Sequence, residues 1–213
     1  MALNINGTTG ISGVEGSVSA PVLTGTDSNC GISFPSADTI KFSTGGVERM
    51  AVTNSGVSIP DHIIQVASAV KTDTFSTTST SFTDITGLSA SITPSSSSNK
   101  VLFLYTTNYS HKQSYAHFQL VRGSTAIFIG DAASSRGRST FGAWLPNATD
   151  IEYEANVVSG SFLDSPSTTS ATTYKIQMRV TQNTGYVNRL QGDDDAAYTP
   201  RMASSIVLLE VAG

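Results

Sequence analysis

The sequence predicts an all-β chain ending in an antiparallel β-sandwich, on three observations. Tyr174, Ile176, Met178 and Val180 alternate with Thr173, Lys175, Gln177 and Arg179. A period of two marks a half-buried strand, because successive side chains leave opposite faces of the pleat. About eight stretches that read as strands follow residue 61, separated by turn-forming residues at the spacing of a sandwich. No long stretch places apolar residues three and four apart, as an amphipathic helix requires.

Residues 1–28 are small and polar, with Gly7, Gly10, Gly13 and Gly16 at a three-residue step. The step lacks proline and fails after Gly16, so a collagen-like helix fits poorly. This segment is expected to be an extended arm that orders against a partner, since nothing in it builds a core. Leu3, Ile5, Ile11 and Val14 are its candidates for docking. Residues 29–60 have a different texture. Thr39–Phe42, Val47–Val52 and Val57–Ile59 read as strands separated by Ser43-Thr44-Gly45-Gly46 and Asn54-Ser55-Gly56. Each is too short to be stable alone and needs lateral partners, most simply the same strands of neighbouring chains.

Residues 61–213 supply the sandwich. Ile63–Phe75 reads as a long first strand. Leu88, Ala90 and Ile92 alternate with Ser89, Ser91 and Thr93 ahead of Pro94 and the Ser95–Ser98 loop. Val101–Tyr105 is continuously apolar and is expected to be buried on both faces. Tyr115–Arg122 and Thr125–Ile129 flank Gly123-Ser124, a hairpin signal. Ile151–Phe162, Tyr174–Thr181, Tyr186–Leu190 and Ser204–Val211 complete the set. In the last of these, Ile206-Val207-Leu208-Leu209 is apolar on both faces.

Composition narrows the function. Charged residues are 13% of the chain and apolar residues 38%, while Ser and Thr together exceed a quarter. Few charges and many hydroxyls suit strands packed against copies of themselves, where charges would need desolvating. A formal charge of −4 argues against a general phosphate-backbone binder. Cys30 is the one cysteine, so no disulfide can form within the chain. No run approaches the ~20 apolar residues of a membrane span, and MALNINGTTG lacks the basic flank and apolar core of a secretory signal.

Two stretches carry a family resemblance. FLDSPSTTSATTYKIQ, over Phe162–Gln177, resembles a phrase in C-terminal domains of bacteriophage fibre proteins, especially those of marine phages and cyanophages. Gly31-Ile32, Phe34-Pro35, Ala37-Asp38-Thr39-Ile40, Gly45-Gly46-Val47-Glu48-Arg49-Met50 and Asn54-Ser55-Gly56 resemble, in the same order, the connector ahead of that domain. The resemblance implies a C1q/TNF-like jelly roll assembled as a homotrimer, with the last strand caught between the core and a subunit interface.

Candidate chemistry is sparse. Ser97-Ser98-Asn99-Lys100 is formally S-x-x-K, but that motif works from a helix face and this one sits in a polyserine loop. His111 and His117 would lie roughly 20 Å apart on one strand, so a shared metal would need the chain to fold back or three chains to converge; surface or hydrogen-bonded histidines are expected. His62 stands far upstream. Asp193-Asp194-Asp195 offers oxygens for Ca²⁺ or is a solvated loop tip. Glu152 and Glu154 share a strand face, without the groove a glycosidase pair needs. Arg136-Gly137-Arg138, in the loop Asp131–Thr140, is followed by Phe141 and Trp144. Aromatics stack on sugar rings and Arg binds hydroxyls, so Arg136, Arg138, Phe141 and Trp144 are the candidate glycan or receptor contacts; alternatively the aromatics are core.

The expected whole is a virion-docking arm over 1–28, a short-strand trimeric connector over 29–60 and a jelly-roll-like knob over 61–213. The expected function is that of a short trimeric tail fibre, a structural virion component assembled in the host cytoplasm. Its partners are two further copies, other virion proteins and a host-surface glycan or protein. Catalysis, a cofactor, a metal, nucleic acid and membrane insertion are not expected. The alternatives are a capsid-mounted head fibre or decoration protein of the same fold, and a free C1q-like lectin.

Overall fold

The computed structural model describes residues 4–6, 10–12, 15–54, 56–60, 62–111, 115–144 and 153–213, with backbone alone for 4–6, 10–12, 143 and 144. The fold is all-β with antiparallel sheets, and the chain divides into two units, Met1–His62 with Ala212–Gly213, and Ile63–Val211.

The first unit is built from short strands. β1 (Asn4–Asn6) and β2 (Gly10–Ser12) pair with Ile5 opposite Ile11, and β3 (Gly16–Ser17) pairs with β4 (Ala20–Pro21). Then β5 (Leu23–Thr24), β6 (Gly31–Ser33), β7 (Ile40–Thr44), β8 (Val47–Thr53) and β9 (Gly56–Ser58) run as a five-stranded meander. The β7–β8 turn places Gly45 and Gly46 at φ 59° and 73°, the left-handed region that a tight hairpin requires and glycine adopts without strain. Segment 1–28 therefore holds local pairings of its own, and its Leu23-Thr24 opens the connector sheet. Of the docking candidates, Leu3 and Val14 lie outside the described residues.

The second unit contains β10 (Ile63–Lys71), β11 (Phe75–Thr77), β12 (Thr83–Ile92), β13 (Lys100–His111), β14 (Tyr115–Arg122), β15 (Thr125–Ile127), β16 (Phe141–Trp144), β17 (Asn156–Asp164), β18 (Thr172–Val180), β19 (Gly185–Val187) and β20 (Ser204–Val211). One sheet runs β10–β20–β13–β17, with β19 and β11 continuing the β20 and β10 positions. The other runs β12–β18–β14, and β15 and β16 share the remaining edge of β14. With each split strand counted once, the positions read 1-8-3-6 over 2-7-4-5, a jelly-roll order. The predicted first strand is broken at residues 72–74. Val101–Tyr105 corrects another expectation: Val101, Phe103 and Tyr105 are buried, whereas Leu102 and Leu104 on the other face are only half-buried.

The core lies between the sheets. Ile85, Leu88, Phe103, Phe118, Ile176, Met178, Ile206 and Leu208 are buried there, because these strands alternate apolar inward and polar or lesser apolar outward. Gly160 opposes Tyr105, and a Cβ there would meet the tyrosine ring, so glycine leaves the ring its space. Tyr174 donates its hydroxyl to Asp164 Oδ2 at 2.6 Å, and Arg122 Nη1 donates to both oxygens of that carboxylate at 2.9 and 2.8 Å. Burial, then the Asp164 carboxylate, pushes the Tyr174 hydroxyl well above its ordinary pKa. The pair joins β17 of one sheet to β18 of the other, and both residues belong to the stretch that carries the fibre resemblance.

Candidate interaction surfaces of the sandwich

Residues 131–140 form an irregular loop, as expected. Gly130 N donates to Ser139 O at 3.2 Å, and Thr140 ties the loop to β14 by accepting from Leu120 N at 3.0 Å through Oγ1. Arg138 donates from Nε to Gly130 O at 2.7 Å, and both Arg136 and Arg138 stay exposed. Gly137 lies against the Arg179 guanidinium and the His117 ring, which are paired neighbours on the outer face of β18 and β14. Arg179 in turn sits 5.2 Å above the Phe82 ring. The loop thus brings two arginines to a face that already holds a third.

Of the two sequence readings of Phe141, sugar contact or core, the structure bears out the core. The Phe141 ring stacks on Phe118 at 4.5 Å and on Tyr105 at 5.5 Å, so it packs against the core and offers no platform to a sugar. Pairing with β14 pulls it inward: Phe141 lies opposite Phe118, an inward position. Trp144 ends β16 opposite Tyr115, and its side chain lies outside the described residues.

Beside the loop, the outer face carries a polar ladder that sequence patterning alone did not assemble. Gln119 Nε2 donates to Gln177 Oε1 at 2.6 Å, Gln177 Nε2 to Asp84 Oδ1 at 2.7 Å, and Lys175 Nζ to Asp84 Oδ2 at 2.8 Å. The Lys175 ammonium, with Gln177, holds the Asp84 carboxyl below its usual range. The β12 register shifts between Asp84 and Ser89, opening a cavity of about 280 Å³ lined by Asp84, Thr86, Gly87, Ser89, Thr173 and Lys175. Hydroxyls, one carboxylate and one ammonium suit hydroxyl-rich ligands. They do not make a nucleophile–base pair.

The histidines do not converge. His117 faces outward beneath the loop, whereas His111 continues the inward register of β13 and is fully buried beside Tyr109, ring centroids 6.2 Å apart. Among the described residues, neither ring nitrogen of His111 has a hydrogen-bond partner, contrary to the expected surface or hydrogen-bonded histidine. Burial holds its pKa below the ordinary 6.5; burial, then Arg179, does the same for His117. Among the acidic candidates, Asp193 accepts from Arg189 Nη1 at 2.7 Å and from Arg201, and Asp194 Oδ2 accepts from Tyr153 at 3.0 Å. Two of the three carboxylates are therefore already engaged by side chains, and among the described residues no three ligand-type side chains cluster around a metal-sized space. Glu154 precedes β17 and is exposed; Glu152 lies outside the described residues. Lys100 opens β13 and Ser97 lies in the turn before it, so the S-x-x-K residues share no helix face.

The outer face of the other sheet is different in kind. Register aligns Val66, Leu209, Leu102 and Leu163 in one row, and Ser68, Val207, Leu104 and Ser161 in the next. Val70, Ser205, Thr106 and Ser159 follow, with Thr106 and Ser159 sharing a hydrogen bond at 2.9 Å. These three rows contain no charged residue. Val66 is 61% exposed, Val70 65%, Val157 64% and Leu163 48%. Protein-family models and curated protein sequences yield no match to this chain.

Proposed function

We propose that the chain is a structural virion component, a short homotrimeric phage fibre whose arm docks on the particle and whose sandwich is an adhesive knob. The observation that carries the assembly is the uncharged apolar face of β10, β20, β13 and β17. A monomer rarely leaves a contiguous apolar face of that extent in water, and burying a Val or Leu side chain is worth about 1.5–3 kcal/mol. Copies of the same face, closed around a three-fold axis, cover it without leaving a free end for further growth. The fibre resemblance of residues 31–56 and 162–177 agrees in assigning a trimer. Adhesion follows from multiplicity: three knobs on one fibre turn weak single contacts into avid attachment. The polar outer face of β12, β18 and β14, with Arg136 and Arg138 above it, is the surface left to meet a host glycan or protein, while Phe141 belongs to the core. A capsid-mounted fibre of the same fold uses the same faces and differs only in where the arm docks.

Light scattering of the full chain is expected to give a mass near three times 22.3 kDa. The double variant Val66→Asp/Leu163→Asp is expected near one chain mass with its far-UV strand signature retained, because both side chains are exposed in the single chain. A monomeric parent chain overturns the assembly, and a trimeric double variant overturns this face as its interface. For the virion role, deletion of residues 1–14, which hold the four docking candidates and lie ahead of β3–β5, is expected to abolish incorporation into particles without lowering the yield of soluble trimer; normal incorporation would overturn the docking arm, and a parent chain absent from particles would favour a free lectin.

A further inference from the structure

Arg179 is an arginine that the fold leaves without a counter-ion. Of the seven arginines, Arg122 pairs with Asp164, Arg189 and Arg201 pair with Asp193, Arg49 donates to Thr44 Oγ1 and Arg138 to Gly130 O. Among the described residues, the guanidiniums of Arg136 and Arg179 donate to no oxygen. Arg136 is exposed, so water meets its donors, but Arg179 is half-buried. Its Cζ sits 5.2 Å from the centre of the Phe82 ring, the backbone of Gly137 lies against its Nη2, and His117 stands beside it on β14. These neighbours hold the guanidinium in place, and none of them accepts from it. Asp131, exposed at the start of the loop, bonds neither arginine, and Asp84 on the same face is taken by Lys175 and Gln177. A charge drawn partly out of water without a counter-ion is costly, and an arriving anion relieves that cost.

We infer that Arg179, with Arg136 of the loop, seats the anionic group of an acidic host-surface glycan, whose hydroxyls lie along the Gln119–Gln177–Asp84 ladder. The planar guanidinium suits a carboxylate, sulfate or phosphate, each of which accepts two parallel N–H bonds. Stacking on Phe82 keeps that plane fixed, so little ordering is left for binding to supply. The ladder lies one pleat repeat along the strands, about 7 Å from Arg179. Its amides each keep a hydrogen or a lone pair to spare, so they can both give to and take from hydroxyls. Beyond the ladder, the cavity lined by Thr86, Ser89 and Thr173 adds hydroxyls of its own. One anionic point followed by neutral donors and acceptors is the pattern of a sugar ring that carries an acid. A nucleic-acid backbone would need positive charge at successive phosphates, and Lys175, the lysine along this line, is paired with Asp84.

The inference rests on the reading of this face as the adhesive surface, and its test separates the two. The full chain is passed by surface plasmon resonance over immobilised pairs: oligogalacturonate and its methyl ester, dextran sulfate and dextran, phosphorylated mannan and mannan. Binding is expected to an anionic member, weaker by about tenfold or more on its neutral counterpart, and the pair that responds identifies the anion. On that member Arg179→Gln is expected to lose about tenfold or more in affinity and the exposed Arg136→Gln several-fold. Arg49→Gln makes the same charge change in the first unit and is expected to bind as the parent does. Anionic binding that both Arg179→Gln and Arg136→Gln leave intact, or equal binding to charged and neutral members, overturns the inference and leaves the adhesive face standing. Binding to none of the oligosaccharides overturns the inference together with the glycan half of the adhesive reading.

Discussion

Replacing Glu210 with alanine is expected to lower the unfolding free energy of the sandwich by about 3–5 kcal/mol. Glu210 ends the inward-facing series of β20, and its side chain is fully buried. Its carboxylate accepts from Ser95 N at 2.7 Å, Ser95 Oγ at 2.8 Å, Asn99 Nδ2 at 2.5 Å and Gln65 Nε2. Alanine leaves those donors facing a void, and each buried donor left unpaired costs about 1–3 kcal/mol, so even partial rescue by water leaves a large loss. Glu210→Gln keeps the shape but turns an NH₂ toward one or more of the donors, so it is expected to recover only part of the loss. Urea unfolding of the three proteins at neutral pH measures this, and a loss under about 1 kcal/mol for alanine would show that the donors find other partners.

The same residue gives stability a defined pH dependence. Burial raises the Glu210 carboxyl, but the hydrogen bonds from Asn99, Gln65 and Ser95 outweigh it and hold the pKa below the ordinary 4.5. The unfolded chain therefore binds the proton first, and this stabilisation is complete above about 4.5 and lost as pH falls through the folded value. His111 and His117 act in an earlier window. Their folded pKa values lie below 6.5, so the unfolded chain again takes protons more readily and stability begins to fall once pH drops under that value. Two stages of acid destabilisation are expected in the parent, and Glu210→Ala shrinks the lower one, to which carboxyls such as Asp84 also contribute, while leaving the upper one in place.

The strands that could be read directly were those in which one face alone meets the core. Tyr115–Arg122 and Ser204–Val211 match their observed bounds; in the first, polar His117 and Gln119 alternate with Ala116, Phe118 and Leu120 and set the face as well, whereas the apolar run Ile206–Leu209 leaves the face of the second open. β16 escaped: Phe-Gly-Ala-Trp is four residues long, and Gly142 interrupts its alternation. It is defined by pairing with β14, where a Cβ on Gly142 would come within 2.9 Å of Ala116 O. Without that strand, the sequence leaves Phe141 open between a sugar contact and the core. The buried state of His111 follows from its parity with Val101, Phe103, Tyr105 and Tyr109, a signal that the strand carries by itself. The polar ladder from Gln119 to Asp84 was not within reach, because it spans three strands whose register nothing local specifies. The apolar outer face was half legible. Ile206–Leu209 announced two apolar faces on one strand, but the rows through Val66, Leu102 and Leu163 required the jelly-roll order to bring them together.

Asn188→Ala is the second large loss expected, about 3 kcal/mol. One edge of β13 is served by two strands in turn, β20 along Lys100–Thr106 and β19 along Tyr109–His111, and Asn108 falls in the gap between them. Asn188 closes that gap. Its N–H donates to Asn108 O at 3.0 Å, and its Oδ1 accepts from Ser204 Oγ at 2.6 Å while that hydroxyl accepts from Asn108 N at 3.0 Å. Across the sheet the β10–β11 edge is broken at the same level, and Asn188 Nδ2 donates to Lys71 O at 2.8 Å, where β10 ends, and to Asp73 O at 3.0 Å, within the break. The residue is fully buried at φ 63°, a left-handed conformation in which Asn is tolerated and Ala is strained by about 1–2 kcal/mol. Alanine therefore adds backbone strain to the loss of the side-chain bonds. Asn188→Gly removes the same bonds without the strain and is expected to be the milder variant by about 1 kcal/mol. Asn188→Asp restores the acceptor for Ser204 but aims a carboxylate at two carbonyl oxygens, so it is expected to be no better than alanine. Thermal and urea unfolding of the three variants decide between these terms: equal losses for Ala and Gly would remove strain from the account, and a loss below about 1 kcal/mol for Ala would mean that water replaces the side chain at both breaks.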